Sequence, residues 1–158
     1  GGNIVQYDAT TDGSVEDDFT SGYDVITNFL VTGDAGAVDQ FDLDGFTAVD
    51  QVDDGTFEAV NKNAIAEDKA VSYLNPASAT ADDLTSDADV TAALGTLAGN
   101  VVTGDKMVFI VSKTDGSAFG LYGFTADATD TTIATSELSL LAIVNTAATG
   151  FDIDNIVQ

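Results

Sequence analysis

The chain has 158 residues and 44% apolar content, enough for one compact domain with a real core, and carries a formal net charge of −23 from 27 acids against four lysines. That field repels phosphate backbones and anionic membrane surfaces, which argues against a nucleic-acid partner. The absence of Cys and His removes disulfides, thiolate catalysis, Cys-ligated zinc and histidine-based triads.

In chain order, Ile4 to Tyr7 is a short apolar piece with no evident partner strand, and an Asp/Thr/Gly-rich stretch to residue 22 reads as loop. Val25 to Leu30 is a strand candidate. The segment Val38 to Phe46 alternates strictly, with Phe41 and Leu43 on one face and Asp42 and Asp44 on the other, which predicts a half-buried strand. Residues 47–80 are ambiguous, apart from a turn at Asp53-Asp54-Gly55. A helix is expected over 86–98: Ser86 with Asp89 resembles an N-terminal cap, Val90, Ala93, Leu94 and Leu97 recur at helical spacing, and Gly99 is the expected stop. Lys106 to Ser112 and Ala118 to Phe124 read as a hairpin joined through Asp115-Gly116, its first arm apolar on both faces and so central in a sheet. The Phe and Tyr residues of that hairpin read as core rather than as a ligand platform. Leu138 to Val144 is a last long strand before a Thr/Ala/Gly loop and the tail Phe151 to Gln158. The expected fold is mainly β, a β-sandwich or flattened β-roll with one short helix, over residues 1–158 as a single β-rich domain.

Nine Phe and four Tyr make the chain too apolar for a disordered acidic tail, yet no apolar run approaches the roughly 18 residues of a membrane span. No basic stretch followed by an apolar run opens the sequence, so no N-terminal signal peptide is expected in it. Glu16, Glu58, Glu67 and Glu137 leave 23 of the 27 acids as Asp. Asp is a poor helix former but a good turn residue and a compact oxygen ligand, so the excess suits strands, turns and hard-cation sites. Carboxylate-pair chemistry stays open in principle, but among this many acids no pair stands out. The chain is read as non-catalytic.

Gly22-Tyr23-Asp24-Val25-Ile26-Thr27-Asn28-Phe29, followed by Asp39-Gln40-Phe41-Asp42-Leu43, resembles the segment that closes the calcium-binding glycine-rich repeats of bacterial RTX proteins. Gly22, Asp24, Ile26, Phe29, Asp39, Asp42 and Leu43 stand at matching places, while Asn28 replaces the usual Asp and Phe41 the usual Ile. Residues 1–46 thus resemble the end of an RTX repeat region. Residues 104–124 and 136–144 are similar to strands in the C-terminal modules of type I-secreted proteins such as S-layer proteins, adhesins and serralysin-like enzymes. The ending at Phe151 to Val157 resembles their uncleaved export signal. The resemblance implies calcium as cofactor, a secreted or cell-surface location and the type I secretion machinery as a partner.

The residues support calcium independently. Gly22 allows a tight turn that presents Asp24 together with backbone carbonyls, and calcium takes six to eight such oxygens. Asp42 and Asp44, two apart on a strand face, lie about 7 Å from each other. Asp24, Asp39, Asp42 and Asp44 are therefore the candidate metal ligands. Two other calcium signals fail: a loop beginning at Asp8 reaches Phe19 where a bidentate Glu belongs, and the run from Asp50 to Gly55 places Val52 at a ligand position. Three functional expectations follow. The first is a calcium-binding structural protein self-assembling at the cell surface, as S-layer, matrix or filament. The second is the C-terminal secretion and folding module of a larger RTX enzyme such as a protease or lipase. The third is a halophile surface domain without specific ions.

Overall fold

The computed structural model describes residues 2–7, 13, 19–31, 38–42, 80–97, 102–147, 151 and 155–157. The expected positions Leu43 and Asp44, the ambiguous stretch up to residue 79 and the turn at Asp53-Asp54-Gly55 lie outside them. Among the described residues the fold is mainly β, with two sheets and one α-helix. None of the described helices is long and apolar enough to cross a membrane.

The elements are β1 (Ile4–Gln6), β2 (Asp24–Ile26), β3 (Gln40–Asp42), β4 (Thr80–Ala81), α1 (Asp87–Leu94), β5 (Lys106–Lys113), β6 (Phe119–Thr125), β7 (Leu138–Val144) and β8 (Ile156–Val157). A five-stranded sheet runs in the order β2-β7-β6-β5-β4, and a three-stranded sheet in the order β1-β3-β8. The hairpin β5–β6 is the expected one. Gly116 adopts φ 73° at its turn, and the Asp115 carboxylate accepts the Ser117 N–H at 2.9 Å and its hydroxyl at 2.6 Å. These side-chain bonds stand in for backbone ones where the chain reverses. As its two apolar faces require, β5 lies inside the sheet, between β6 and β4.

Each face of the large sheet carries its own core. On one side Met107, Phe109, Tyr122 and Phe124 pack with Val90 and Leu94 of α1; on the other Val108, Ile110 and Leu121 pack with Phe41 of the small sheet. The small sheet on one face and the helix on the other make a sandwich with a helical cover. A β-bulge decides how β7 serves both cores. Leu121 pairs with Ala142 but Tyr122 with Leu140, so Leu141 is an extra residue. Side chains alternate along a strand, and one extra residue reverses the alternation. Leu138 and Leu140 consequently face the helix, whereas Ala142 and Val144 face the small sheet. Gly13 approaches the backbone of this bulge so closely that a Cβ there would collide with the carbonyl of Leu140.

Two expectations are corrected. The helix stops at Gly95, not Gly99: Gly95 takes φ 72° and its N–H caps Thr91 O. The chain then turns away so that the Leu97 N–H reaches Thr131 O at 2.9 Å, which buries Leu97 without helical geometry. Its N-terminus is as read, with the Ser86 hydroxyl accepting the Asp89 N–H at 3.3 Å. Second, the opening segment has a partner strand: Ile4, Val5 and Gln6 pair in parallel with Gln40, Phe41 and Asp42. A parallel partner lies far along the chain, and no local turn signal announces it.

Candidate functional site

Of the candidate ligands, Asp24, Asp39 and Asp42 are described, and they fall near where the two sheets meet. Gly22 and Asn28 both adopt left-handed backbone, at φ 85° and φ 62°, and bracket β2. Asn tolerates that conformation better than most residues. Asp24 opens β2, an edge strand of the large sheet, and is exposed. Asp42 ends β3 in the small sheet and is half-buried. Tyr7 spans the gap: its N–H donates to Asp42 O at 2.9 Å and its hydroxyl to Asp24 Oδ2 at 3.0 Å. Its ring packs beside Phe41 at 6.3 Å between centroids.

Asp39 is a different kind of acid. It is only 6% exposed. Oδ1 accepts the Asn3 N–H at 2.6 Å and the Asn3 amide at 3.0 Å, and Oδ2 accepts the Leu30 N–H at 2.8 Å. Burial by itself would raise its pKa, but the donors on Asn3 and Leu30 outweigh it and hold the carboxyl below its ordinary value of 3.8. The carbonyl of the same residue accepts the side-chain amide of fully buried Asn155 at 3.0 Å. With two lone pairs per oxygen, three donors leave the carboxylate little capacity for an ion. Asp39 thus ties β1, the turn after β2 and the approach to β8 into one buried polar node.

Asp24 belongs to one sheet and Asp42 to the other, with Asp39 just before β3, and among the described residues no group of three or more acidic side chains is arranged to hold a metal. Phe19, where the loop from Asp8 would have needed a carboxylate, is fully buried with its ring 5.5 Å from that of Tyr122. The aromatic residues of the β5–β6 hairpin are core, as expected: Phe109, Phe119, Tyr122 and Phe124 are fully buried. Asn3, Tyr7 and Asn155 are site residues that sequence reasoning missed. The one available hint was that Asn3 directly precedes an apolar pair.

Two further acidic features lie elsewhere. Glu137 is buried before β7 and accepts the N–H groups of Asp127 at 2.9 Å and Ala134 at 2.8 Å. Burial pushes its carboxyl above the ordinary 4.5, and the neighbouring Asp127 carboxyl adds to the push against those two donors. At the end of the large sheet, where β4 and β5 finish, a cleft of about 400 Å³ is lined by Asp82, Asp83, Thr85, Lys113 and Asn145 among others. Its charges are largely committed. Asp83 accepts both the N–H and the hydroxyl of Thr85, and Lys113 pairs with Asp115 at 3.2 Å.

Comparison with protein-family models, with curated proteins and with solved structures finds no match.

Proposed function

We propose that the chain is a non-catalytic, extracellular, calcium-binding structural protein or module that self-associates at the cell surface, as part of an S-layer, matrix or filament. The observation that carries this reading is a net charge of −23 on a mainly β fold that packs an apolar core on both faces of its larger sheet. A compact state with that charge repels itself until cations neutralise it, and calcium binds carboxylates across irregular geometry. The resemblance of residues 22–43 to the RTX repeat closure supports calcium over monovalent salt. The left-handed backbone at Gly22 and Asn28 is compatible with it, since it lets the chain turn on either side of Asp24. In this proposal Asp24, Asp42 and Asp44 supply ligands, and Asp39 serves mainly as the anchor that holds their strands. Export by the type I route, with the segment from Phe151 to Val157 as the address, belongs to the same proposal.

A thermal melt in excess calcium against EGTA, at constant ionic strength, is the test. Extracellular calcium modules have dissociation constants of roughly 0.1–1 mM, so each site contributes on the order of 1 kcal/mol at a few millimolar calcium. A clear rise in Tm with calcium is the expected result, and superimposable melts overturn the proposal. Full stability in potassium chloride with chelator present selects the halophile reading in its place.

A further inference from the structure

We propose that the segment joining β6 to β7 is a pH-sensitive latch: Glu137 clasps it shut while sharing a proton with Asp127, and loss of that proton releases it together with the chain leaving α1. The segment is fastened at three places. Ala126 exchanges backbone bonds with the turn before β5, its N–H donating to Asp105 O and its carbonyl accepting the Gly104 N–H, both at 2.8 Å. Thr131 O accepts the Leu97 N–H at 2.9 Å, and Thr132 forms an antiparallel bridge with Thr96, just past the end of α1. The third fastening is Glu137, the last residue of a 3-10 turn over Thr135–Glu137. One of its carboxyl oxygens accepts the N–H of Asp127, where the segment begins, and the other that of Ala134, near its end. Closed in this way, the segment keeps Ile133 and Leu97 in the helix-side core, each 5% exposed.

The clasp is a carboxyl only 3% exposed, with a second carboxyl beside it. The 2.9 Å bond from the Asp127 N–H brings that residue's own side chain next to Glu137, and Asp127 Oδ2 lies 3.4 Å from the hydroxyl of Ser136, the preceding residue. Two carboxylates sharing a site do not both ionise readily. With one proton between them, Glu137 retains acceptor capacity for both N–H groups and donates its O–H to Asp127. Without that proton two like charges face each other, one of them buried. Burial and Asp127 push the Glu137 carboxyl above 4.5 against the two donors, so the latch is closed below that value and loosens as pH rises through the raised one. Asp127 is the charged group that bears on Glu137. On the neighbouring elements, Asp130 and Asp105 accept the N–H groups of Thr132 and Val102, Asp87 and Asp89 stand in the first turn of α1, and Lys106 opens β5.

The test is hydrogen exchange on the full chain, from about pH 4 to about pH 7, with chelator present and ionic strength constant. Protection factors are corrected for the intrinsic pH dependence of exchange. Protection of the Leu97, Asp127 and Ala134 amides should fall several-fold as pH rises, while Phe109 and Leu121 in the middle of the large sheet keep theirs. An equal fall at Phe109 and Leu121 is general repulsion among the acids and overturns the latch, as does protection at Leu97 that ignores pH. Glu137→Gln keeps the shape of the side chain and should abolish the pH dependence at those three amides. If the dependence survives, another acid is the switch and the proposal falls. A second variant serves should Glu137→Gln fail to fold. Asp127→Asn, at an exposed position, retains its backbone bond to Glu137 and removes the facing charge. It should shrink the fall in protection and move it to lower pH, and a fall identical to wild type overturns the pairing.

Discussion

The two sheets are held by different physics. In the large one, β5, β6 and β7 follow one another along the chain and pair antiparallel through long apolar strands. The faces of these three strands are buried by rings and aliphatic chains, while the short edge strands β2 and β4 add to them in parallel from earlier in the chain. The small sheet is assembled from strands of two or three residues, all parallel, brought together from opposite parts of the chain. Strands so short have little ladder to stabilise them. The node at Asp39 compensates, with bonds to residues 36, 9 and 116 positions away. The consecutive strands β5 to β7 hold one another through apolar packing, whereas the fragments of the small sheet add the Asp39 node to theirs. The small sheet should accordingly be the part of the fold that opens first.

The largest expected effect is that of Phe41→Ala. Phe41 is fully buried and stacks on Phe29 at 4.7 Å, and truncation of such a ring costs about 3–5 kcal/mol. Hydrogen exchange should show the amides of β1, β3 and β8 losing protection while those of β5 to β7 keep most of theirs. Equal loss in both sheets would break the comparison and make them one cooperative unit.

Next comes Asp39→Ala, which leaves the N–H groups of Asn3 and Leu30 without their acceptor. Each such loss costs about 1–3 kcal/mol, to be read from urea denaturation. The pH dependence sharpens the point. Asp39 is held below its ordinary 3.8, so the unfolded chain binds its proton more readily than the folded one. Its contribution is complete above the ordinary value and is lost as pH falls through the folded one. The difference between wild type and Asp39→Asn should shrink in that acid window. Glu137, raised above 4.5 by burial, has the opposite sign. Its contribution is present below the ordinary value and lost as pH rises through the raised one. Glu137→Gln should flatten that loss and leave the Asp39 window unchanged. Identical pH profiles for the two variants would contradict the assignment of distinct roles.

Smaller effects are expected in the helix-side core. The Tyr122 hydroxyl, fully buried, donates to Leu84 O at 2.6 Å, and burial pushes its pKa well above 10.0. Tyr122→Phe should cost about 1–2 kcal/mol, with no change in calcium response. Smallest is Ser86→Ala, which removes the N-cap of α1 and should lower stability by about 1 kcal/mol. Either variant altering the small sheet's exchange rates would show that the two cores are coupled through β7.

What the sequence by itself determined is what local periodicity and turn chemistry control. Lys106 to Ser112, Asp115-Gly116, Ala118 to Phe124 and Leu138 to Val144 each carry their own signal, and the structure places a hairpin and a strand there. The Ser86 cap was legible for the same reason, since its partner is three residues away. Only the tertiary structure decided three other things. The bulge at Leu141 divides β7 between two cores, although an uninterrupted apolar run looks the same with or without it. The parallel pairing of β1, β3 and β8 joins segments that no turn links. The burial of Asp39 depends on donors from Asn3 and Leu30 arriving from elsewhere. An aspartate's side-chain type announces an oxygen ligand or a solvated charge. Whether its lone pairs meet calcium, water or the chain's own N–H groups is settled by which distant backbone folds against it, because only a buried and fully donated carboxylate repays its desolvation.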